Sequence, residues 1–458
     1  MSQRLTAAQK WIYGSGDTCF SLTTTIIGAY FAIFLTDVVG IAPAVAAAAI
    51  FIGRSWDYIN DPLIGWISDR TRTRWGRRRP FLLFGAIPFG LVFTLMWVRP
   101  PIENMALLTA YYAVVYVLFD AAATFVYMPY FALTPELAEG YDDRTSLTTH
   151  RMFFSILGSL IAFTIPIMII GSFSPENAPR VFWMAVIFAV VSALPLWLVF
   201  WGTRERPTFM HAQPPKLLTS LKAAFKNKLF VFGALIYLLT WVAMDILQVI
   251  LLYYIKYVVV KESQSDLIMA AIFVTALVSL PFWLWVSKRW NKRVAYIAGV
   301  AFWAAVQLTL MSLSPATSLP LLLALCVLAG IGVGAAHVLP WSIFPDAVEW
   351  DEWQTGERHE GTFYSLLTLA QKIAASIAIP LTLVILDLTG YIANSAVQPQ
   401  SAITGIRLII GPIPAVLLLA GILFSAFSPL NREQFQQILA DLEQRRAFKA
   451  RQAGQELE

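Results

Sequence analysis

Four polar residues sit one helical turn apart inside a stretch that is otherwise largely apolar: Arg54, Asp57, Asn60 and Asp61. In a helix Arg54 and Asp57 are i,i+3 and Asp57 and Asp61 are i,i+4, so all three charges share one face. Two carboxylates a turn apart in a low dielectric repel each other unless a cation or proton sits between them. Hard cations favour oxygen ligands, so the pattern is a candidate sodium or proton site. The plainer reading is a structural Arg–Asp pair tying this segment to a neighbour. An ionisable group at the centre of a membrane helix costs roughly 2.5–3.5 kcal/mol even on lenient scales, so the other such groups are candidates too. They are Asp17, Asp120 with Thr124, Arg151, Asp245, His337, Lys372 and Asp387. Lys372, set between Ala370 and Ile373, requires a carboxylate partner, and Asp57 or Asp61 is the natural one. Asp245 reads equally as a functional group or as one side of a helix-to-helix hydrogen bond. His337 taken alone reads first as a packed ring, and Asp387, near Gly390, as readily interfacial as functional.

The segments that carry these groups are apolar enough to demand a membrane. The chain has 458 residues, 58% hydrophobic and 13% charged, against about 25% charged in a soluble domain. The apolar residues fall in runs long enough to cross a hydrocarbon core of ~30 Å, which takes about 20 helical residues. Backbone in lipid must satisfy its own hydrogen bonds, and no period-2 alternation supports a barrel, so the runs are helices. Twelve spans are predicted, beginning near residues 11, 41, 81, 105, 150, 179, 228, 264, 294, 317, 361 and 403. No cleavable signal peptide is expected, because Met1-Ser2-Gln3-Arg4 leads straight into the first span.

The formal charge of +5 points to orientation and not to nucleic acid, because the positives cluster beside spans. Six arginines occupy the loop from Asp69 to Arg79; Arg144, the group Lys288, Arg289, Lys292 and Arg293, and the stretch from Thr203 to Lys228 follow on the same side. The other side carries scattered Arg99, Arg180, Lys256 and Lys261. The positive-inside bias therefore puts both termini in the cytoplasm. Cys19 and Cys326 lie in apolar runs and read as small buried residues. The abundant Trp and Phe read mostly as lipid-facing or belt residues. No Walker loop, His/Cys cluster or hydrolase elbow is present, so neither an enzyme nor an ATP-driven pump is expected. Gly330-x-Gly332-x-Gly334, inside a span, reads as close helix packing.

The Pro-bearing stretch from Arg204 to Lys216 divides the chain into halves that echo each other. Pro62-x-x-x-Trp66 ends the second span and Pro281-x-x-x-Trp285 the eighth; Met128-Pro129-Tyr130 closes the fourth and Leu339-Pro340-Trp341 the tenth. Two parallel six-span halves with a site between them is the major-facilitator arrangement. The expected organisation is an all-α membrane protein: an N-terminal bundle over 1–202, a linker over 203–227, a C-terminal bundle over 228–430 and a cytoplasmic tail over 431–458, read as a solvated or interfacial helix.

The stretch from Arg54 to Trp66, with its Asp-x-x-Asn-Asp-Pro core and the arginine loop after it, resembles the signature of the glycoside-pentoside-hexuronide:cation symporters. Tyr13-Gly14-x-Gly16-Asp17, Thr36-Asp37-Val38-Val39-Gly40, Asp142-Asp143-Arg144-Thr145 and Glu349-Trp350-Asp351-Glu352-Trp353 are similar to further motifs of that family. The resemblance spans nearly the whole chain. It implies a cation site of Asp57, Asn60, Asp61 and Thr124, with Asp57 and Asp61 as metal ligands if the ion is Na⁺. It also implies coupling through Arg54 and Lys372, and Arg151 at the sugar pocket. Where the family's melibiose carrier uses aspartates in its first and fourth spans, this chain has Ser21 and Tyr127; pocket tryptophans become Phe131 and His337. A galactoside held by those two carboxylates is therefore not expected.

The leading expectation is a Na⁺- or H⁺-coupled symporter of a sugar or glycoside, with substrate touched by Asp17, Ser21, Asp120, Tyr127, Phe131, Arg151, His337 and Trp341. Leu339-Pro340-Trp341-Ser342-x-x-Pro345-Asp346 resembles the motif of animal lysolipid carriers of the same superfamily, so a cation-dependent carrier of a lysolipid or another amphiphile is the alternative. A non-transporting sensor or scaffold has no reason to hold two carboxylates and a lysine in lipid. No cofactor beyond the coupling ion is expected. The expected partners are a small-molecule substrate and membrane lipid, the working unit a monomer, and the location a bacterial inner membrane.

Overall fold

A computed structural model describes residues 5–137, 141–205, 226–356, 360–395, 397–427 and, in the tail, 436–438, 440–442 and 444–445. The segment 206–225, which holds most of the expected linker, and most of the tail lie outside the described residues. Among those described, ten helices are long and apolar enough to cross a membrane. Two more passes precede them. Span 1 runs as Ala7–Ser15, Asp17–Ile26 and two π-helical turns, Ile27–Phe31 and Phe34–Val39. Span 2 is Pro43–Ser55 followed by Asp57–Arg70.

The reason these two differ is local. Span 1 is broken into short pieces, and span 2 is interrupted at Trp56 with Arg54, Asp57 and Asp61 crowded around the break. Gly40 ends span 1 in the left-handed region at φ +93°, a conformation that costs a side-chain-bearing residue. Pro43 then opens span 2 at a position where its missing N–H is no loss.

The remaining passes are span 3 (Arg79–Met96), span 4 (Met105–Leu137), span 5 (Tyr141–Ile170) and span 6 (Ala178–Gly202). In the second half come span 7 (Lys228–Tyr253 with Tyr254–Val258), span 8 (Ser265–Arg289) and span 9 (Lys292–Leu310). Span 10 (Leu319–Thr355), span 11 (Glu360–Leu388) and span 12 (Gln400–Ile410 with Pro412–Ala426) complete it. The expected starts agree to within a few residues except at span 5, which begins at Tyr141 and not near 150. Its first turn is polar, and hydropathy marks only where lipid begins, so the helix continues past the apolar stretch.

The sequence echo is structural as well. Pro62 and Pro281 each lie inside the last turns of their helices, in spans 2 and 8. Spans 1 and 5 pack together in the first half, and spans 8 and 10 in the second. The two halves meet where span 2 lies against span 11 and span 5 against span 8. Phe163 of span 5 and Phe273 of span 8 stack face to face there.

The glycine run of span 10 is the tightest of these contacts. A Cβ at Gly330 would lie 2.3 Å from the Ile272 carbonyl oxygen, and one at Gly334 would lie 2.8 Å from the Ala276 carbonyl oxygen. Backbone cannot swing aside as a side-chain tip can. Gly330→Ala therefore forces spans 8 and 10 apart, and overpacking of this kind costs about 1–3 kcal/mol. Thermal melting in detergent checks it: a clear drop in the midpoint is expected, and a wild-type midpoint contradicts the packing.

Candidate functional site

Span 2 approaches span 4 closely because Gly53 carries no side chain; a Cβ there would sit 2.3 Å from the Tyr116 ring. That approach brings Tyr116 to Arg54, whose Nε donates to the phenol oxygen at 3.0 Å. About two turns further, the Thr124 hydroxyl of span 4 donates to Asp61 at 3.0 Å and lies 3.4 Å from Asp57. Asn60 is buried, and its amide donates to the Asp120 carbonyl at 3.3 Å. Span 2 is thereby fixed to span 4 on both sides of its carboxylates.

The third component comes from the other half. Lys372 of span 11 reaches across, with Nζ 2.5 Å from Asp61 Oδ2 and 3.1 Å from Asp57 Oδ1. The ammonium keeps 24% of its side chain exposed and each carboxylate 16%, so the cluster is shielded but within reach of water. The Tyr58 and Ser376 hydroxyls, one from each half, hydrogen-bond beside it. The requirement that Lys372 find a carboxylate is thus met twice over.

Two placements differ from the expectation. Asp120, expected against substrate, stands beside Asp57, and its buried Oδ2 has no hydrogen-bond partner among the described residues. Arg54, on the far side of the break at Trp56, is held by Tyr116, and its charge is felt by Asp245 of span 7. The helical periodicity carried neither, because both depend on the approach of span 4. The donor set around Asp57 and Asp61 is nonetheless all oxygen and suits a hard cation. Among the described residues no group of three or more His, Cys, Asp or Glu is arranged to hold a metal ion.

The remaining expected residues form two walls. On the first half, Arg151 of span 5 lies 3.4 Å from Asp17 Oδ1 and 3.8 Å over the Phe131 ring. Phe131 lies 4.1 Å from the Tyr127 ring. The Arg151 Nε is buried without a hydrogen-bond partner among the described residues. Ser21 donates to the Thr18 carbonyl and faces Gly158 of span 5, where a Cβ would meet its hydroxyl. It therefore stands in helix packing. On the second half, His337 lies 5.0 Å from the Trp241 ring, and Trp341 stands edge-on to Tyr237 at 4.9 Å. His337 and Trp341 are both exposed. Tyr237 donates to Gln371, the neighbour of Lys372, at 2.6 Å. Trp241, Tyr237 and Gln371 were not anticipated, because nothing distinguishes them in sequence from the many other aromatic and amide residues. Asp387 lies one residue from the end of span 11, half-exposed.

A second polar centre joins the halves at the end opposite the arginine loop. Asp37, fully buried, accepts from Thr36, from Lys256 Nζ at 2.6 Å, from the Tyr391 hydroxyl at 2.5 Å and from the Tyr257 hydroxyl. Its own carbonyl accepts from Asn394 at 2.5 Å. Lys256 also donates to the Phe173 carbonyl at 2.7 Å. Sequence reading noted Asp37 only within a motif and Lys256 only as a scattered positive. An acid and a lysine at the same end of two spans was the available signal.

A family model described as MFS/sugar transport protein matches residues 12–432. An uncharacterized symporter of Synechocystis is 32% identical over 97% of this chain and 99% of its own. The isoprimeverose transporter of Lactiplantibacillus pentosus is 29% identical, covering 96% and 92%. A sodium-dependent lysophosphatidylcholine symporter of Danio rerio is 28% identical, covering 94% and 87%. Among solved structures the D-xylose-proton symporter overlays with a TM-score of 0.67 at 15% identity, over 92% of this chain and 98% of that one, which speaks to the fold. The chain belongs to the MFS/sugar transport protein family: it is a multi-pass membrane transporter and not an enzyme.

Removing Lys372 leaves two carboxylates facing each other. Breaking a shielded ion pair from one side costs about 3 kcal/mol, so Lys372→Gln melts well below wild type. Lys372→Gln with Asp61→Asn regains most of the loss, because the repulsion goes with the second charge. A double variant no more stable than the single contradicts the pairing.

Proposed function

We propose that the chain is a cation-coupled symporter that moves a sugar or glycoside across the membrane by alternating access. The observation that carries it is the placement of Lys372 of one half between Asp57 and Asp61 of the other. A Na⁺ ion or a proton arriving at those oxygens competes with the ammonium for the same charge. Cation occupancy then changes how strongly the halves hold each other at mid-membrane, which is the differential affinity that coupling requires. Asn60 and Thr124 complete the cation site, and Arg54, with Lys372, carries the coupling.

The substrate lies between the two walls. Arg151, Asp17, Tyr127 and Phe131 face it from the first half, and His337 and Trp341 from the second, with Trp241 and Gln371 beside them. Exposed rings with polar groups at their edges suit a pyranoside, whose C–H face stacks while its hydroxyls take the edge donors and acceptors. Asp120 belongs with the cation site in this reading. A second reading rests on the sodium-dependent lysophosphatidylcholine symporter among the relatives: the same cation site with an amphiphile in the cavity.

The positive-inside bias of the arginine loop supports both termini in the cytoplasm, with a bacterial inner membrane as the proposed location. The bundles run over 1–202 and 228–430, joined by 203–227 and followed by the tail from 431. The unit is a monomer that needs no nucleic acid and no cofactor beyond its ion. The Asp37 centre then lies at the outer face as a closed seal, so the conformation is inward-facing.

Proteoliposomes screened with sugars, glycosides and lysolipids under an imposed Na⁺ or H⁺ gradient test the function. Asp57→Asn is expected to abolish gradient-driven accumulation while leaving part of the exchange; unchanged accumulation contradicts the cation site. A response to lysolipid alone, with silence for every saccharide, favours the second reading. The seal is tested separately. Hydrogen bonds to a charged group contribute about 1.5–3 kcal/mol each, and 1.4 kcal/mol is tenfold in population. Ser159 of span 5 accepts from the Thr25 hydroxyl of span 1 at 3.3 Å, inside the bundle. In a background lacking the two native cysteines, Asp37→Ala should therefore raise labelling of Ser159→Cys by an impermeant maleimide from outside by roughly tenfold. Labelling at the wild-type rate contradicts it.

A further inference from the structure

The six arginines from the end of span 2 to the start of span 3 divide into two sets of three. Arg77, Arg78 and Arg79 turn inward. Arg77 donates to Glu136 at 2.6 Å, Arg78 to Glu136 at 3.2 Å and to Ser68, and Arg79 to the Phe200 carbonyl. Their backbone N–H groups are gathered by the Glu205 carboxylate at 2.6–2.8 Å. That acid thus serves the start of span 3, where the helix dipole favours negative charge.

Arg70, Arg72 and Arg74 turn outward. All three are exposed, and among the described residues none has a carboxylate partner. Two of them lie on indoles: Arg70 is 3.8 Å over the Trp66 ring and Arg74 is 4.4 Å over Trp75. The turn that presents them is fixed. Thr73 and Gly76 pair across it, the Thr73 hydroxyl donates to the Gly76 carbonyl at 2.7 Å, and Gly76 takes φ +109°. Trp75 anchors the turn against Phe84 of span 3 and Phe200 of span 6.

Orientation in the membrane requires positive charge on one side and nothing about its arrangement. A rigid turn holding three guanidinium groups that have no carboxylate partner among the described residues, with exposed Trp66, Phe84 and Trp201 beside it, is a more specific object. Guanidinium matches phosphate oxygens in a bidentate fork, and an indole belt sits at headgroup depth. We infer that Arg70, Arg72 and Arg74 form a binding site for the headgroup of an anionic phospholipid, with its acyl chains along spans 3 and 6. The phosphodiester lies in the arginine fork, and the indoles hold the guanidinium planes open to it.

The test counts lipids retained on the intact protein in detergent by native mass spectrometry, titrating phosphatidylglycerol against phosphatidylcholine. Phosphatidylglycerol should be retained preferentially. Arg70→Gln with Arg72→Gln and Arg74→Gln should weaken it on the order of a hundredfold, corresponding to about 1 kcal/mol per arginine near a charged surface. Arg72→Gln alone, which disturbs no packing, should weaken it about fivefold and serves if the triple variant folds poorly. Lys288→Gln with Arg289→Gln, in the equivalent loop of the second half, should leave it unchanged. Undiminished binding by the arginine variants overturns the site, and equal loss in the second-loop variant reduces it to general surface charge and overturns it as well. Inorganic phosphate alone should not displace the lipid; full displacement at millimolar phosphate would make this a free-anion site and overturn the lipid assignment.

Discussion

A lysine ammonium held between two carboxylates in a membrane interior is the constraint to which the surrounding structure answers. Two unit charges about 4 Å apart interact by about 4 kcal/mol at an effective dielectric near 20, and burying any one of the three alone is costly. The acids come from span 2 and the lysine from span 11, so the cheapest arrangement of charge is also a tie between the halves. The break at Trp56, the missing side chain at Gly53, and the bonds from Thr124 and Asn60 all position the acids for that tie. In the proposed mechanism a small cation entering the same oxygens weakens the tie.

The second polar centre is of a different kind. Asp37 accepts from a lysine, two tyrosines and a threonine, fully enclosed. Its four donors match the roughly four acceptor positions of an ionised carboxylate, so it does not depend on an ion to satisfy it. The mid-membrane cluster has the opposite character: Asp120 Oδ2 stands unpartnered beside Asp57, and the acids outnumber the nearby lysine. One centre is complete and the other is open to an additional positive charge. This asymmetry suits a carrier that is shut on one face and awaits its ion at the middle.

Much of this was legible in sequence because membrane physics is strict. Apolar run length located the spans, and the cost of intramembrane charge singled out Asp57, Asp61 and Lys372 before any geometry was known. The broken first two spans were the ones that hydropathy marks least clearly, since their polar residues and helix breaks interrupt the apolar runs. What periodicity could not reach were contacts between helices. Asp120 joins the acids, Arg54 turns to Tyr116, and Ser21 packs against Gly158 because of which helices meet, and a helical wheel carries no information about neighbours. Trp241 and Gln371 were hidden for a different reason, being ordinary residues made distinctive only by their surroundings.

In the proposed mechanism Asp57 and Asp61, paired here with Lys372, receive the coupling cation in its place. Calorimetric titration of the purified protein with Na⁺ at constant pH, with proton release recorded in parallel buffers, tests it most directly. The account predicts saturable binding of one cation per chain, as Na⁺ or as a proton, lost when Asp61 is replaced by Asn. Binding that survives that replacement, or a wild-type protein that takes up neither ion, would contradict it.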